Sequence, residues 1–324
     1  MQSARCFSFS PSREAAGLAP PDSRTARSAD QLAILGLNGT WRTMLILKLL
    51  DPRANAAALG EAWDVGNKHS ALIVEMTRRE LLDRHVGSFL GAIWAVCLPL
   101  LQIAVYVFVF AVIFRGRFGP DDHTGLGYVV YVLSGLIPWI ALQDALSRGP
   151  ASVTGSANLV KQIVFPSEVL PLKVSLAALT TLAVGLVITI VLSCFDGRSS
   201  IGGIVVLLPV AVLLHLALSA GLVYAFAAIG VFLKDLKEIV AFILSIGLFL
   251  HPILYIPGQV PNWLAYLFTF SPFSHIIWCF RDALFEARLT RPLSWLLSAL
   301  TAVACFSIGW RIFRMLKPTF GNAL

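Results

Sequence analysis

The stretch SSIGGIVVLLPVAVLLHLALSAGLVYAFAAIGVFL, Ser199–Leu233, contains no Asp, Glu, Lys or Arg. The hydrocarbon core of a bilayer is about 30 Å thick and takes roughly 20 helical residues at about 1.5 Å each. Five further charge-free stretches accompany it: Ser88–Phe114, His123–Gln143, Val174–Phe195, Ile239–Phe280 and Pro292–Trp310. Even the last and shortest is long enough to cross. Alternating strand patterns are absent, and a backbone in lipid must satisfy its own hydrogen bonds, so the spans are predicted to be helices. With 57% hydrophobic and 13% charged residues, against about 25% charged in soluble domains, the expected fold class is an all-α integral membrane protein with six transmembrane helices.

Lys and Arg near the span ends set the orientation. With the N-terminus inside, the cytoplasmic flanks hold Lys68, Arg78, Arg79, Arg84, Arg148, Lys161, Lys173, Lys234, Lys237, Arg311, Arg314 and Lys317. The outer flanks hold half as many: Arg115, Arg117, Arg198, Arg281, Arg288 and Arg291. Both termini are therefore expected in the cytoplasm. The same bias accounts for the net charge of +7 without any nucleic-acid partner.

Residues 1–68 differ in kind. Met1–Asp30 is rich in Ser, Arg, Ala and Pro and reads as disordered, while Gln31–Asp64 has apolar bursts compatible with a short helix. The tail as a whole is expected to be largely disordered, and removal of residues 2–60 to be tolerated. Residues 69–87 mix charged and apolar positions and are expected to lie as a helix at the cytoplasmic interface. Residues 88–324 form the transmembrane domain.

Between the second and third spans, Asp144–Glu168 is polar and small, broken at Gly149–Pro150 and again at Pro166. A helix ending before Pro166 and another starting near Pro171 would make a hinge at the membrane face. The run Ile239–Phe280 is about twice one span and carries Pro252, Pro257, Pro261 and Pro272. It is predicted to cross once, to about Tyr255, and then to dip back as two short helices, a candidate outer gate.

Ionisable groups are nearly missing from the span interiors, which disfavours ion coupling. His215 reads as a packing histidine, and Lys173 as a snorkelling one. The chain has no HExxH, GxSxG or GxxxxGK[ST] motif, so ATP-driven work would require ATP on another polypeptide. The cysteines show no metal-like spacing. The aromatics Trp94, Tyr106, Tyr131 and Trp139 fit either interfacial belts or a channel lining that stacks on sugar rings.

The segments RRELLDRHVGSFLGAIWAVCLPLL (Arg78–Leu101), YVLSGLIPWIALQDAL (Tyr131–Leu146), LVKQIVFPSEVLPL (Leu159–Leu172), VFLKDLKEIV (Val231–Val240) and HPILYIPGQVP (His251–Pro261) together resemble the ABC-2 permease family of polysaccharide exporters. That family serves lipopolysaccharide O-antigen, capsule and teichoic acid export. The likeness covers about residues 70–318, in order.

It implies a non-enzymatic transport subunit in a bacterial inner membrane. It further implies a homodimer over two P-loop ATPase copies, with ATP and Mg on the partner and no cofactor on this chain. The cargo would be an undecaprenyl-linked polysaccharide. The interface helix would present Arg79, Arg84 and His85, and a coupling helix within Ser147–Phe165 would engage the ATPase around Arg148, Asn158, Lys161, Phe165 and Glu168. The outer gate would use Pro252, Tyr255, Pro261 and Pro272. The chain departs from the family at His85, Lys234 and Ser271. The alternatives are an ABC-2 exporter of drugs or small lipids, and a membrane glycosyl- or acyltransferase, for which Asp282 and Glu286 are the scattered candidates.

Overall fold

A computed structural model describes residues 51–84, 91–113, 126–161, 165–196, 201–255 and 260–324. The chain divides into two compact units, Met1–Leu47 and Lys48–Leu324; the first lies outside the described residues. The described residues are helical, with no strand among them.

Four helices are long and apolar enough to cross a membrane: Leu126–Ala151, Val169–Phe195, Gly202–Gly230 and Pro292–Thr319. They answer the second, third, fourth and sixth expected spans. We number the helices α1 (Pro52–Lys68), α2 (Ser70–Asp83), α3 (Trp94–Val107), α4 (Leu126–Arg148), α5 (Val169–Asp196), α6 (Ile201–Gly230), α7 (Leu236–Leu250), α8 (Asn262–Phe270), α9 (Pro272–Leu284) and α10 (Pro292–Leu316).

The other two expected spans are shorter. Pro99 sits inside α3, whose coil widens into a π-helical turn at Phe108–Ile113. α7 has 15 residues, about 22 Å at the α-helical rise, and stops at Leu250 rather than Tyr255. The apolar run then bends by 85° between Trp263–Phe270 and Pro272–Leu284. Proline explains the breaks: Pro261 precedes α8, and Pro272 occupies the first position of α9, where its missing N–H costs nothing.

α4 is the axis of the bundle. It packs against α5, α6, α7 and α9 and is 83% buried, whereas the more hydrophobic α6, mean hydropathy 2.4 against 1.6, is 33% buried. Lipid rewards an apolar surface as much as a protein interior does, so the most apolar helices can face outward. Val205, Val206 and Leu213 on α6, and Leu293, Leu296 and Leu300 on α10, form such outward surfaces. α6 and α10 make the closest helix pair, crossing backbone to backbone at Gly221 and Gly309: a Cβ on Gly309 would fall on the Gly221 carbonyl oxygen.

Part of the expected disordered tail is ordered. Asp51 caps α1 by accepting from the Arg53 N–H at 3.0 Å, and Ala58 on α1 is buried against a cluster that includes Trp310 and Phe313 of α10. Removing residues 2–60 would take Asn55 from Arg311, bonded at 2.7 Å, so the expected tolerance of that deletion is corrected from residue 52 onward. Lys173, expected to snorkel, instead pairs with Glu80 at 3.1 Å. His215 is buried against the edge of Phe280, as a packing histidine should be.

Candidate functional site

Polar side chains gather at the two ends of the bundle. At one end α4 finishes, α5 starts and α10 finishes. Glu168, one residue before α5, is 3% exposed. Both its oxygens accept from Lys317 Nζ at 2.8 Å, and Oε1 accepts from Arg314 Nη1 at 2.7 Å. Arg314 also reaches Glu61 of α1, whose other oxygen accepts from Trp310 Nε1 at 3.2 Å. The Tyr224 hydroxyl of α6 donates to the Glu168 carbonyl at 2.9 Å. Burial alone would raise the Glu168 pKa; the hydrogen bonds from Lys317 and Arg314 outweigh it and hold the carboxyl below its ordinary value.

The segment expected as a coupling helix is a series of short turns, Gly149–Ala151, Thr154–Ser156 and Ala157–Val160. Its root is fixed. Gly149 and Pro150 are buried, Val153 joins the cluster containing Tyr224 and Trp310, and the Pro150 carbonyl lies against Gly230, where a side chain would collide with it. Asn158 and Lys161 at its tip are exposed, as is Arg148 at the end of α4. Of the expected coupling residues, Phe165 is half-buried and Glu168 faces inward. Pro150 thus lies against α6, and Glu168 is bonded to the end of α10.

Beside it, α2 is stapled to the bundle by charge. Arg84 pairs with Asp144 at 2.9 Å, and Asp144 also holds Arg148 at 2.8 Å. Residues expected in the interface helix and in the coupling segment thus share one carboxylate. Arg79 is exposed and pairs with Glu75 at 2.9 Å; His85 lies outside the described residues. Trp94, Arg84, Asp144 and Arg148 line a cavity of about 200 Å³.

The opposite end carries aromatic rings and arginines. The Tyr131 hydroxyl donates to the Tyr255 carbonyl at 2.8 Å, and the Tyr128 hydroxyl to the Leu254 carbonyl at 3.2 Å, tying the turn after α7 to α4. Tyr131, Pro252, Tyr255, Phe268, Trp278 and Arg281 line a cavity of about 210 Å³. Here an expected channel residue, Tyr131, meets two expected gate residues, Pro252 and Tyr255. Pro261 and Pro272 serve instead as helix starts. His251 bridges α7 and the residue before α9, with Nδ1 against the Gly247 carbonyl at 2.6 Å and Nε2 against Ser271 Oγ at 2.9 Å, so the departure at Ser271 has a bonding role. Lys234, another departure, is exposed.

The four channel aromatics are not gathered on one wall. Tyr131 and Trp139 are each 3% exposed, Trp139 packing on His251 and Phe273. Trp94 is half-buried at the Arg148 end. Tyr106, also half-buried, stacks on Phe110, which meets Tyr128. Asp282, a candidate acid for the enzyme reading, is fully buried and occupied: it accepts from Thr290 Oγ1, from the Arg291 N–H and from Trp295 Nε1, the last two at 3.0 Å. Among the described residues no group of His, Cys, Asp and Glu could hold a metal. Sequence reasoning treated Arg281 only as an outer flank charge; its place in the apolar run HIIWCFRDALF, Arg beside Asp, was the available signal.

The pattern of the ABC-2 type transporter family matches residues 71–285, from the start of α2 to the end of α9. The O-antigen export system permease protein RfbA of Myxococcus xanthus is 30% identical over 259 residues, 79% of this chain and 96% of that relative. Its namesake in Klebsiella pneumoniae is 27% identical over 257 residues, 78% of this chain and 95% of the relative. On this match, which agrees with the order of helices and breaks, the chain belongs to the ABC-2 type transporter family.

Proposed function

We propose that the chain is the permease subunit of an ABC exporter that moves a lipid-linked polysaccharide of the O-antigen kind across the bacterial inner membrane. The observation that carries the reading is the alignment with O-antigen export permeases along 96% of a relative's length. In this reading α3 with its π turn and α7 act as shortened spans, making six crossings with α4, α5, α6 and α10. α8 and α9 form the re-entrant outer gate, α2 lies at the cytoplasmic interface, and both termini are cytoplasmic. Two copies enclose the path, and two copies of a separate ATPase bind ATP and Mg and press on Arg148, Asn158 and Lys161. The exposed tip and buried root of the 149–161 segment suit that role.

Copurification from native membranes tests the assembly. A stoichiometric P-loop ATPase, with ATP hydrolysis by the complex, is expected; a chain that comes down with no ATPase would overturn the proposal.

The half-buried aromatics test the path. Trp94→Ala and Tyr106→Ala are expected to lower polymer export more than they lower assembly. Trp139→Ala, which empties a buried site, is expected to cost about 3–5 kcal/mol and to lower both together. Export assays normalised to the amount of assembled complex distinguish these outcomes, and equal losses for all three variants would return Trp94 and Tyr106 to packing.

A further inference from the structure

Arg281 is the least accounted-for charge in the described structure. It is 2% exposed and no carboxylate pairs with it among the described residues. Its Nη2 donates to the Ile253 carbonyl at 2.8 Å, its guanidinium lies 3.7 Å from the centre of the Tyr131 ring, and its Nε has no hydrogen-bond partner. The adjacent acid cannot serve, because Asp282 is saturated by Thr290, Arg291 and Trp295. Glu286 is taken by Arg288 at 3.5 Å. A buried cation is stable only when paired and fully hydrogen-bonded; a ring face and one carbonyl leave this one short of an anion. It borders the 210 Å³ cavity between α4, α8 and α9, and so does a second guanidinium, Arg291, held over the Trp278 ring at 5.5 Å. That cavity has room for many times one water molecule.

We propose that this cavity binds the phosphate group of a lipid between the guanidinium groups of Arg281 and Arg291, which both line it. Guanidinium is suited to the task because its planar donors match phosphate oxygens two at a time. Tyr131 and Trp278 hold the two guanidinium groups in place through their ring faces. Two lipids carry the chemistry: a polyprenyl-linked glycan, which rests on the transport reading above, and a bilayer phospholipid. In either case the anion completes the gate, because Ile253, which Arg281 bonds, belongs to the turn that Tyr128 and Tyr131 hold.

The test uses the full-length chain in phosphatidylcholine nanodiscs, titrated calorimetrically with farnesyl pyrophosphate and with farnesol. Thermal unfolding is compared between these discs and discs carrying phosphatidylglycerol. Farnesyl pyrophosphate is expected to bind at least tenfold more tightly than farnesol, or phosphatidylglycerol to raise the unfolding temperature. Either effect is expected to fall at least tenfold, or to vanish, in Arg281→Gln and to be partly restored in Arg281→Lys. Arg291→Gln, at a half-exposed position, gives the same reading should Arg281→Gln fail to fold. The pyrophosphate effect assigns the site to the lipid-linked substrate, the phosphatidylglycerol effect to the bilayer. No binding and no shift, equal affinity for farnesol, or effects unchanged by both Gln variants overturns the site. Export by a wild-type complex that responds to neither probe would remove the site and leave the transport reading; a wild-type complex that binds but does not export would do the reverse.

Discussion

Replacing Glu168 with Ala is expected to destabilise the end of the bundle where α10 finishes and to uncouple ATP hydrolysis from export. Its carboxylate is buried, but Arg314 and Lys317 are 39% and 34% exposed, so water still screens them once their partner is gone. The cost is therefore about 2 kcal/mol rather than the roughly 3–5 kcal/mol of a wholly buried broken pair. The expected uncoupling rests on position, because Glu168, one residue before α5, is bonded to Arg314 and Lys317 at the end of α10 and, through Arg314, linked to Glu61 on α1. ATPase activity persisting while export falls is the expected pattern in the assembled complex. Normal coupling in Glu168→Ala would show that force does not pass through α10.

The same carboxyl sets an acid limit. Its folded-state pKa is depressed below the ordinary 4.5, so its contribution to stability is fully present above that pH and is lost as pH falls through the lower, folded value. The gap in unfolding temperature between the wild type and Glu168→Gln is expected to be constant near neutrality and to close below about pH 4.5. A gap that widens in acid would contradict the ion-pair assignment.

Gly309→Val is expected to prevent assembly altogether. The α6–α10 crossing brings backbone onto backbone, and any Cβ at Gly309 overlaps the Gly221 carbonyl, so the two helices must move apart along their contact. Overpacking a closed core costs about 1–3 kcal/mol for added methyl groups, the range expected for Gly309→Ala; a branched side chain exceeds it. Small residues at such crossings replace the hydrophobic drive that lipid removes. Gly60→Ala is the control: nothing lies within 4 Å of its Cβ, and a helix interior gains about 1 kcal/mol from the change. Membrane yield and unfolding temperature of the three variants check the order. Equal yields for Gly309→Val and Gly60→Ala would mean that α6 and α10 do not cross as described.

Several features were legible from local pattern because they depend on neighbours in sequence. Four of the charge-free runs are single helices of crossing length, and the prolines of Ile239–Phe280 mark the ends of α7, α8 and α9, since a missing N–H and a fixed φ act on the residue's own turn. Other features were hidden. α1 has only modest apolar content and resembled tail sequence until Ala58, Asn55 and Glu61 found partners on α10. Glu168 read as an exposed coupling contact because its cations lie 146 and 149 residues away. Tyr131 and Trp139 fitted either an interfacial belt or a channel lining, and their burial on α4, each 3% exposed, was not legible from the pattern.

The sequence by itself determined which segments leave water, where they break and to which family the pattern belongs, because solvation and backbone sterics are set residue by residue. Only the tertiary structure decided which apolar face is buried within the chain and which lies on its outside, for hydropathy cannot separate them. It alone also showed that Arg314 and Lys317 have a buried carboxylate and that Arg281 has none among the described residues, since charge pairing is settled by proximity in space, which sequence spacing does not encode.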